Sequence, residues 1–308
     1  MAEYLNTEII NQKIQTNAKK LLLDVESRFR GQLFTVAGKI LDRKDIKVVL
    51  LAGPSCAGKT TSAKLLKEVL EKQGKHVVTI SMDDFFIDRD KTPYLSDGTR
   101  DLDSPNCVNT TQLEECFSRF FSGKKTKFPV YDFITGKNIP DSFELKMKYN
   151  TIIIFEGLHV LNPEITAHLG TDKYYKIYVS ALSGFEHENE KMSPTNLRLL
   201  RRMIRDVDRR NLTPETTLKT WDNVCEAETK YITPYMDGAD YLINTTHEYE
   251  LGVFKSAFHK LMKRKKITAN KYPCYNVLNA SEDINREDLP DTSLMWEFVD
   301  KPEVKNEE

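Results

Sequence analysis

The chain opens with apolar residues at helical spacing. Ile9, Ile10 and Ile14, then Leu21, Leu22, Val25, Phe29 and Leu33, recur every three or four positions between residues 7 and 42. That spacing predicts one or two amphipathic helices. The pattern then changes. Lys47-Val-Val-Leu-Leu-Ala52 is a continuous apolar run of strand length that ends in Gly53. A helical pattern follows from Lys59 to Gln73 and stops at Gly74. His76–Ile80, Thr151–Phe155 and Tyr174–Val179 are further strand-like runs, and Tyr241–Ile243 is a weaker one. Continuous apolar strands separated by helices predict an α/β fold with a parallel sheet covered on both faces.

Other stretches read differently. Between Asp88 and Lys137 lie turn residues of mixed charge, which predict a long irregular segment of the kind that carries function. Ser193 to Arg210 is basic and helical, whereas the chain from Ser281 onward is acidic, with KPEVKNEE at its end reading as frayed. The acidic segment either docks on the rest of the chain or is partly disordered. Trp221 and Trp296 read as buried anchors. Three regions result: a helical extension over 1–44, the α/β domain over 45–265 and an acidic extension over 266–308.

Composition narrows the class. The chain has 308 residues, and 45 Lys and Arg stand against 46 Asp and Glu for a net charge of -1. With 40% hydrophobic and 10% aromatic residues it is neither a disordered chain nor a general nucleic-acid binder. Its five cysteines are scattered without a CxxC pair, so neither a disulfide framework nor a zinc site is indicated. No apolar run approaches the roughly 20 residues that span a bilayer, and the start, MAEYLNTEIINQKI, lacks a basic segment followed by an apolar one. The expectation is a cytoplasmic protein without nucleic-acid or membrane partners.

The chemistry concentrates around one motif. Gly53-Pro54-Ser55-Cys56-Ala57-Gly58-Lys59-Thr60 fits G-x-x-x-x-G-K-[ST] between a strand and a helix. In such a loop backbone N–H groups turn toward phosphate oxygens, the lysine reaches the β- and γ-phosphates, and the threonine hydroxyl sits on Mg²⁺. Cys56 would point away from phosphate. The second strand ends in Ser81-Met-Asp83-Asp84, at the crevice where α/β sheets bind ligands. A carboxylate there can take a proton from an attacking hydroxyl, or serve as a turn acid. Glu156, at the end of the third strand, is a candidate for holding Mg²⁺ or for capping the glycine turn that follows. Six arginines lie between Arg198 and Arg210, and Arg198, Arg201, Arg202, Arg205 and Arg209 fall on one broad helical face. They suit phosphate contact, or an exposed helix paired with Asp206 and Asp208. His159 reads as packing.

In combination these segments resemble the uridine kinase and phosphoribulokinase family of P-loop kinases. The likeness is strongest to the bacterial-type nucleoside kinase domain often fused to a threonyl-tRNA-synthetase-like region. The matching segments are AGPSCAGKTT, TISMDDFFIDRDKTP, RDLDSP, PVYDFITGK, IIIFEGLHVLNP, RLLRRMIRDVDRRNLTPETTLKTW and DLPDTSLMWEF. The resemblance implies a P-loop NTPase fold with an Arg-rich helical lid, and ATP-dependent phosphorylation of a nucleoside 5′-hydroxyl. It implies ATP on the loop from Gly53 to Thr61, Mg²⁺ at Thr60, Glu156 and Asp84, and Asp240 near the adenine. Asp83 takes the place of the catalytic base, helped by Lys59, Arg205 and Arg210. Asp103 would hold the ribose hydroxyls, Tyr131 would lie beside the base, and Arg202 would bind substrate. Gly136 stands where animal-type enzymes place a base-reading histidine, and Arg210-Asn211-Leu212 replaces their Arg-Gly-Arg lid. The alternatives are a pantothenate- or phosphoribulokinase-like enzyme and a non-catalytic ATP-binding regulator. GTP is disfavoured, because Asn270-Lys271-Tyr272-Pro273 lacks the aspartate of a guanine signature. The resemblance leaves room for a homo-oligomer.

Overall fold

The computed structural model describes residues 3–302 except 96–97, 211, 266–271 and 274. Asn211 of the lid run, Asn270-Lys271, Cys274, the expected domain boundary after residue 265 and the last residues of the frayed end lie outside the described residues. In chain order the elements are β1 (Glu3–Asn6), α1 (Thr7–Asp42), β2 (Val48–Ala52), α2 (Lys59–Lys72) and β3 (His76–Ser81). They continue with α3 (Thr110–Phe121), β4 (Thr126–Asp132), β5 (Lys137–Leu145), β6 (Thr151–Gly157), α4 (Pro163–Thr166) and β7 (Tyr174–Ser180). The chain then runs through β8 (Ser183–His187), β9 (Glu190–Met192), α5 (Pro194–Arg209), α6 (Pro214–Tyr231), β10 (Tyr241–Asn244), α7 (Glu250–Lys265) and α8 (Tyr275–Asn279). Among the described residues no helix is long and apolar enough to cross a membrane.

The five runs read as strands all join one parallel sheet, in the order β10-β7-β2-β6-β3. Its residues alternate between two cores, as the period of a strand requires. Val49, Leu51, Ile152, Ile154 and Ile177 face a layer holding Leu22, Phe29 and Leu33 of α1, Leu66 of α2 and Phe254 of α7. Val48, Leu50, Ile153 and Phe155 face the opposite layer, where Phe85, Phe117, Phe120 and Phe128 pack mostly edge to face. The helical start resolves into two segments, because Asn17 leaves helical geometry (φ -165°, ψ 87°) and its Oδ1 accepts the Lys20 N–H.

The structure corrects the reading of 88–137 as irregular. Helix α3 and strand β4 lie within it, and β4 pairs antiparallel with β5. The register shifts between Phe128 and Val130, around Pro129, which has no N–H to give a ladder. A second sheet, β1-β8-β9, joins the N-terminal strand in parallel to β8. The C-terminal segment docks: Leu294, Met295, Phe298 and Val299 belong to the α1-side core. Trp221 is buried, while Trp296 is only half-buried and donates its indole N–H to the Pro290 carbonyl. The four described cysteines are free.

Candidate active site

Strand β2 is the middle strand of the sheet, so the loop from Gly53 to Gly58 leaves the centre of its carboxyl edge and runs into α2. The loop is held from behind. Arg198 Nη1 donates to the Ser55 carbonyl (3.2 Å), Arg201 Nη1 to the Cys56 carbonyl (3.2 Å), and Thr245 Oγ1 to the Ala57 carbonyl (2.7 Å). In a trans peptide the C=O and N–H point opposite ways. Drawing back the Ser55 and Ala57 carbonyls turns the N–H groups of Cys56 and Gly58 to the other side of the loop, while the Ala57 N–H donates to the Pro54 carbonyl at 3.2 Å. Cys56 adopts φ 58° and is buried.

The arginine run is therefore not one exposed face. Arg198 and Arg201 are buried and paired, Arg198 with Glu228 (2.7 Å) and Arg201 with Glu250 (2.8 Å). The other members turn to a cavity of about 870 Å³ lined by Arg202, Arg205, Arg209 and Arg210. A buried acid gathers three of them: Asp206 lies 3.3 Å from Arg202 Nε, 2.7 Å from Arg205 Nη2 and 3.8 Å from Arg210 Nε. Asp206 entered the sequence reading only as a surface partner, because helical spacing does not reveal which acid is buried.

The same cavity brings together Ser55, Cys56, Lys59, Thr60, Asp83, Asp103, Tyr131 and Glu156. Lys59 Nζ donates to the Pro54 carbonyl at 3.0 Å. Asp83 Oδ1 is buried without a hydrogen-bond partner. Burial pushes the Asp83 carboxyl above its usual value, against the pull of Lys59, Arg210 and Arg205. Glu156 accepts the Ser81 hydroxyl at 3.0 Å, and burial with the nearby Asp83 raises it to about 7. Asp103 is raised by burial, opposed by Arg202. Tyr131 stands edge-on to Phe86 (5.6 Å) and Phe133 (5.1 Å), and Arg210 lies 5.1 Å from the Phe133 ring centre.

Some candidates lie elsewhere. Asp84 does not line the cavity: its Oδ1 accepts the Tyr131 N–H (3.2 Å), and burial raises it to about 6, so it ties β3 to the β4–β5 hairpin. Asp240 is also apart, accepting the Lys176 N–H at 2.7 Å and lying 3.6 Å from Arg43, where it holds β10 to β7. Gly53, Pro54, Ala57 and Gly58 form the loop but not the cavity wall. Thr61 also lies off the wall, its N–H and hydroxyl taken by Glu297. His159 is packing: it is buried, edge-on to Tyr231, and burial lowers its imidazole to about 4.

Sequence reasoning missed Glu297, Arg89 and the α6 residues Glu226, Lys230 and Tyr231, all of which line the cavity. Arg89 and Glu297 stood inside quoted segments, but nothing local distinguished them from surface charges.

A family model described as "Phosphoribulokinase / Uridine kinase family" matches residues 48–252. The chain is 26% identical over 202 residues to a uridine kinase of Anoxybacillus flavithermus, covering 65% of this chain and 87% of that one. It is 24% identical over 200 residues to a uridine kinase of Saccharomyces cerevisiae, covering 64% of this chain and 36% of that longer protein. Among solved structures, one titled "Structure of a Possible Uridine Kinase from Bacillus stearothermophilus" aligns with a TM-score of 0.47 at 18% identity, over 70% of this chain and 99% of that one.

Proposed function

The chain belongs to the phosphoribulokinase/uridine kinase family of P-loop kinases, and from that premise we propose that it transfers the γ-phosphoryl group of ATP to the 5′-hydroxyl of a nucleoside. The observation that carries this reading is the unpartnered Asp83 Oδ1, buried in the same cavity as Lys59 and Thr60 of the loop. A carboxylate so placed can accept the proton of an acceptor hydroxyl as the phosphoryl group arrives. Lys59, Arg205 and Arg210 would offset the charge on the transferring group. Asp103 and Tyr131 would hold the ribose and flank the base.

The residues present suit Mg²⁺. Thr60 and Glu156 offer hard oxygen ligands on the cavity wall, and Mg²⁺ in nucleotide sites needs only one or two carboxylates beside the phosphates and water. When bound, it would neutralise phosphate charge. Asp84 is tied to the hairpin and is not among the residues proposed to hold it.

Incubating the protein with ATP, Mg²⁺ and a panel of uridine, cytidine, purine nucleosides, pantothenate and sugars tests the reading. Phosphate appearing on a nucleoside supports it. Transfer to pantothenate or a sugar alone reassigns the acceptor, and ATP binding that no acceptor consumes reassigns the protein as a regulator.

Arg89 bears on the acceptor. A Cβ on Gly136 (φ 69°) would fall 2.8–2.9 Å from Arg89 side-chain atoms, so glycine there lets the arginine lie across the turn. Arg89 lines the cavity among Phe86, Tyr131 and Phe133, and its donor-only guanidinium suits base carbonyls. Arg89→Ala is expected to raise the acceptor KM at least roughly tenfold, the worth of one charged hydrogen bond, with the ATP KM little changed. Steady-state kinetics in which both KM values moved together would remove Arg89 from acceptor recognition.

A further inference from the structure

The phosphate loop already carries a carboxylate. Glu297 Oε2 accepts both the Thr61 N–H (3.1 Å) and the Thr61 hydroxyl (2.8 Å). The Thr61 N–H belongs to the first turn of α2, where backbone donors have no partner within the helix. In a loop of this pattern such donors are what the α- and β-phosphates take. Glu297 comes from the C-terminal segment, beyond the residues that match the family model. It nonetheless lines the cavity with Ser55, Lys59, Thr60 and Arg205.

We infer that Glu297 is a built-in competitor of the nucleotide: an anion seated on a phosphate-binding donor, which bound ATP or ADP must displace. This rests on the ATP reading above. A carboxylate and a phosphate cannot share the Thr61 donors without repelling each other, so only one is seated at a time. The carboxylate's return as ADP departs would favour product release.

The segment itself stays in place. Leu294, Met295, Phe298 and Val299 are all buried. Leu294 packs on the loop, where a Cβ on Gly58 would fall 2.6 Å from its Cδ1. The Phe298 ring centre lies 5.0 Å from the Arg201 guanidinium, and Arg209 Nη2 donates to the Trp296 carbonyl at 2.6 Å. Four buried apolar side chains outweigh one charged hydrogen-bonded pair. Nucleotide therefore displaces the Glu297 side chain by rotation and leaves the strap anchored.

The test is ADP titration by calorimetry, without and then with Mg²⁺, on the full chain and on Glu297→Ala and Glu297→Gln. The expected result is ADP affinity about tenfold tighter for Glu297→Ala, the scale of one lost charged competitor. Glu297→Gln, which keeps an acceptor oxygen without the charge, is expected between it and wild type. Unchanged or weaker ADP binding in both variants overturns the inference, since the carboxylate would then support the nucleotide or stand idle. Absence of ADP binding to all three proteins is a different failure: it overturns the nucleotide reading of the loop and the competitor with it.

Discussion

Asp83→Asn is expected to fold, to bind ATP and to lose about 10²–10⁴-fold in kcat, the usual contribution of a positioned general base. The amide keeps the shape of the side chain but has no basic oxygen for the acceptor proton. Binding should survive, because the loop donors, Lys59 and Thr60 are untouched. Kinetics and ATP calorimetry on the same protein check both halves, and wild-type turnover would remove Asp83 from the mechanism.

The substitution carries a second signature, in stability. Burial raises the folded-state pKa of Asp83 above its usual value of 3.8. The folded state therefore binds this proton more tightly than the unfolded chain, and the group's contribution to stability declines as pH rises from 3.8 through the raised value. Above pH 3.8 the unfolded chain releases this proton more readily than the folded protein does, so at neutral pH the ligand-free protein is less stable than it would be with an uncharged group at this position. Asp83→Asn should accordingly raise the melting temperature at pH 7, and the gain should shrink toward zero below pH 3.8, where Asp83 is protonated in both states. Loss of turnover with a pH-dependent gain in stability is what a buried base held for chemistry produces, and a merely structural acid does not.

The five central strands were legible because each is an unbroken apolar run with a turn or a helix at its end. Strands β1, β8 and β9 were not. They are short and partly polar, and β1 pairs with a strand almost 180 residues away. Strand β5 is exposed along most of its length, so no alternation marks it. Of the candidate residues that share the cavity, those of the loop, Asp83 and Glu156 could be picked out because they stand at strand ends or in a dense motif, whereas Asp103 and Tyr131 followed only from the family resemblance. Neighbouring residues that share a motif can still diverge. Asp83 faces the cavity and Asp84 the hairpin, a difference set by the 3-10 turn over Met82–Phe85 rather than by residue type. Helical spacing put the arginines on one face, but it could not show that Arg198 and Arg201 are buried against loop carbonyls while the others turn to the cavity. Glu297 depends on packing between distant segments, which no local pattern encodes.

Arg201→Met is expected to cost about 3–5 kcal/mol of unfolding free energy, because it leaves Glu250 buried and uncompensated. Both side chains are fully buried, and the guanidinium reaches Glu250, the Thr245 carbonyl (2.7 Å) and the Cys56 carbonyl. Adding Glu250→Gln should recover much of that stability. The amide removes the stranded charge and can still accept the His247 N–H that Glu250 Oε1 takes at 2.8 Å. Nucleotide affinity should not recover with it. The Cys56 carbonyl has lost the donor that draws it back from the phosphate side, and the loop must now be ordered by the ligand itself, at a cost of about tenfold in affinity. Urea unfolding and ATP calorimetry on the single and double variants separate the two effects. If stability and affinity returned together in the double variant, the Arg201–Glu250 pair would be a packing feature. If only stability returned, the pair would set the loop's shape.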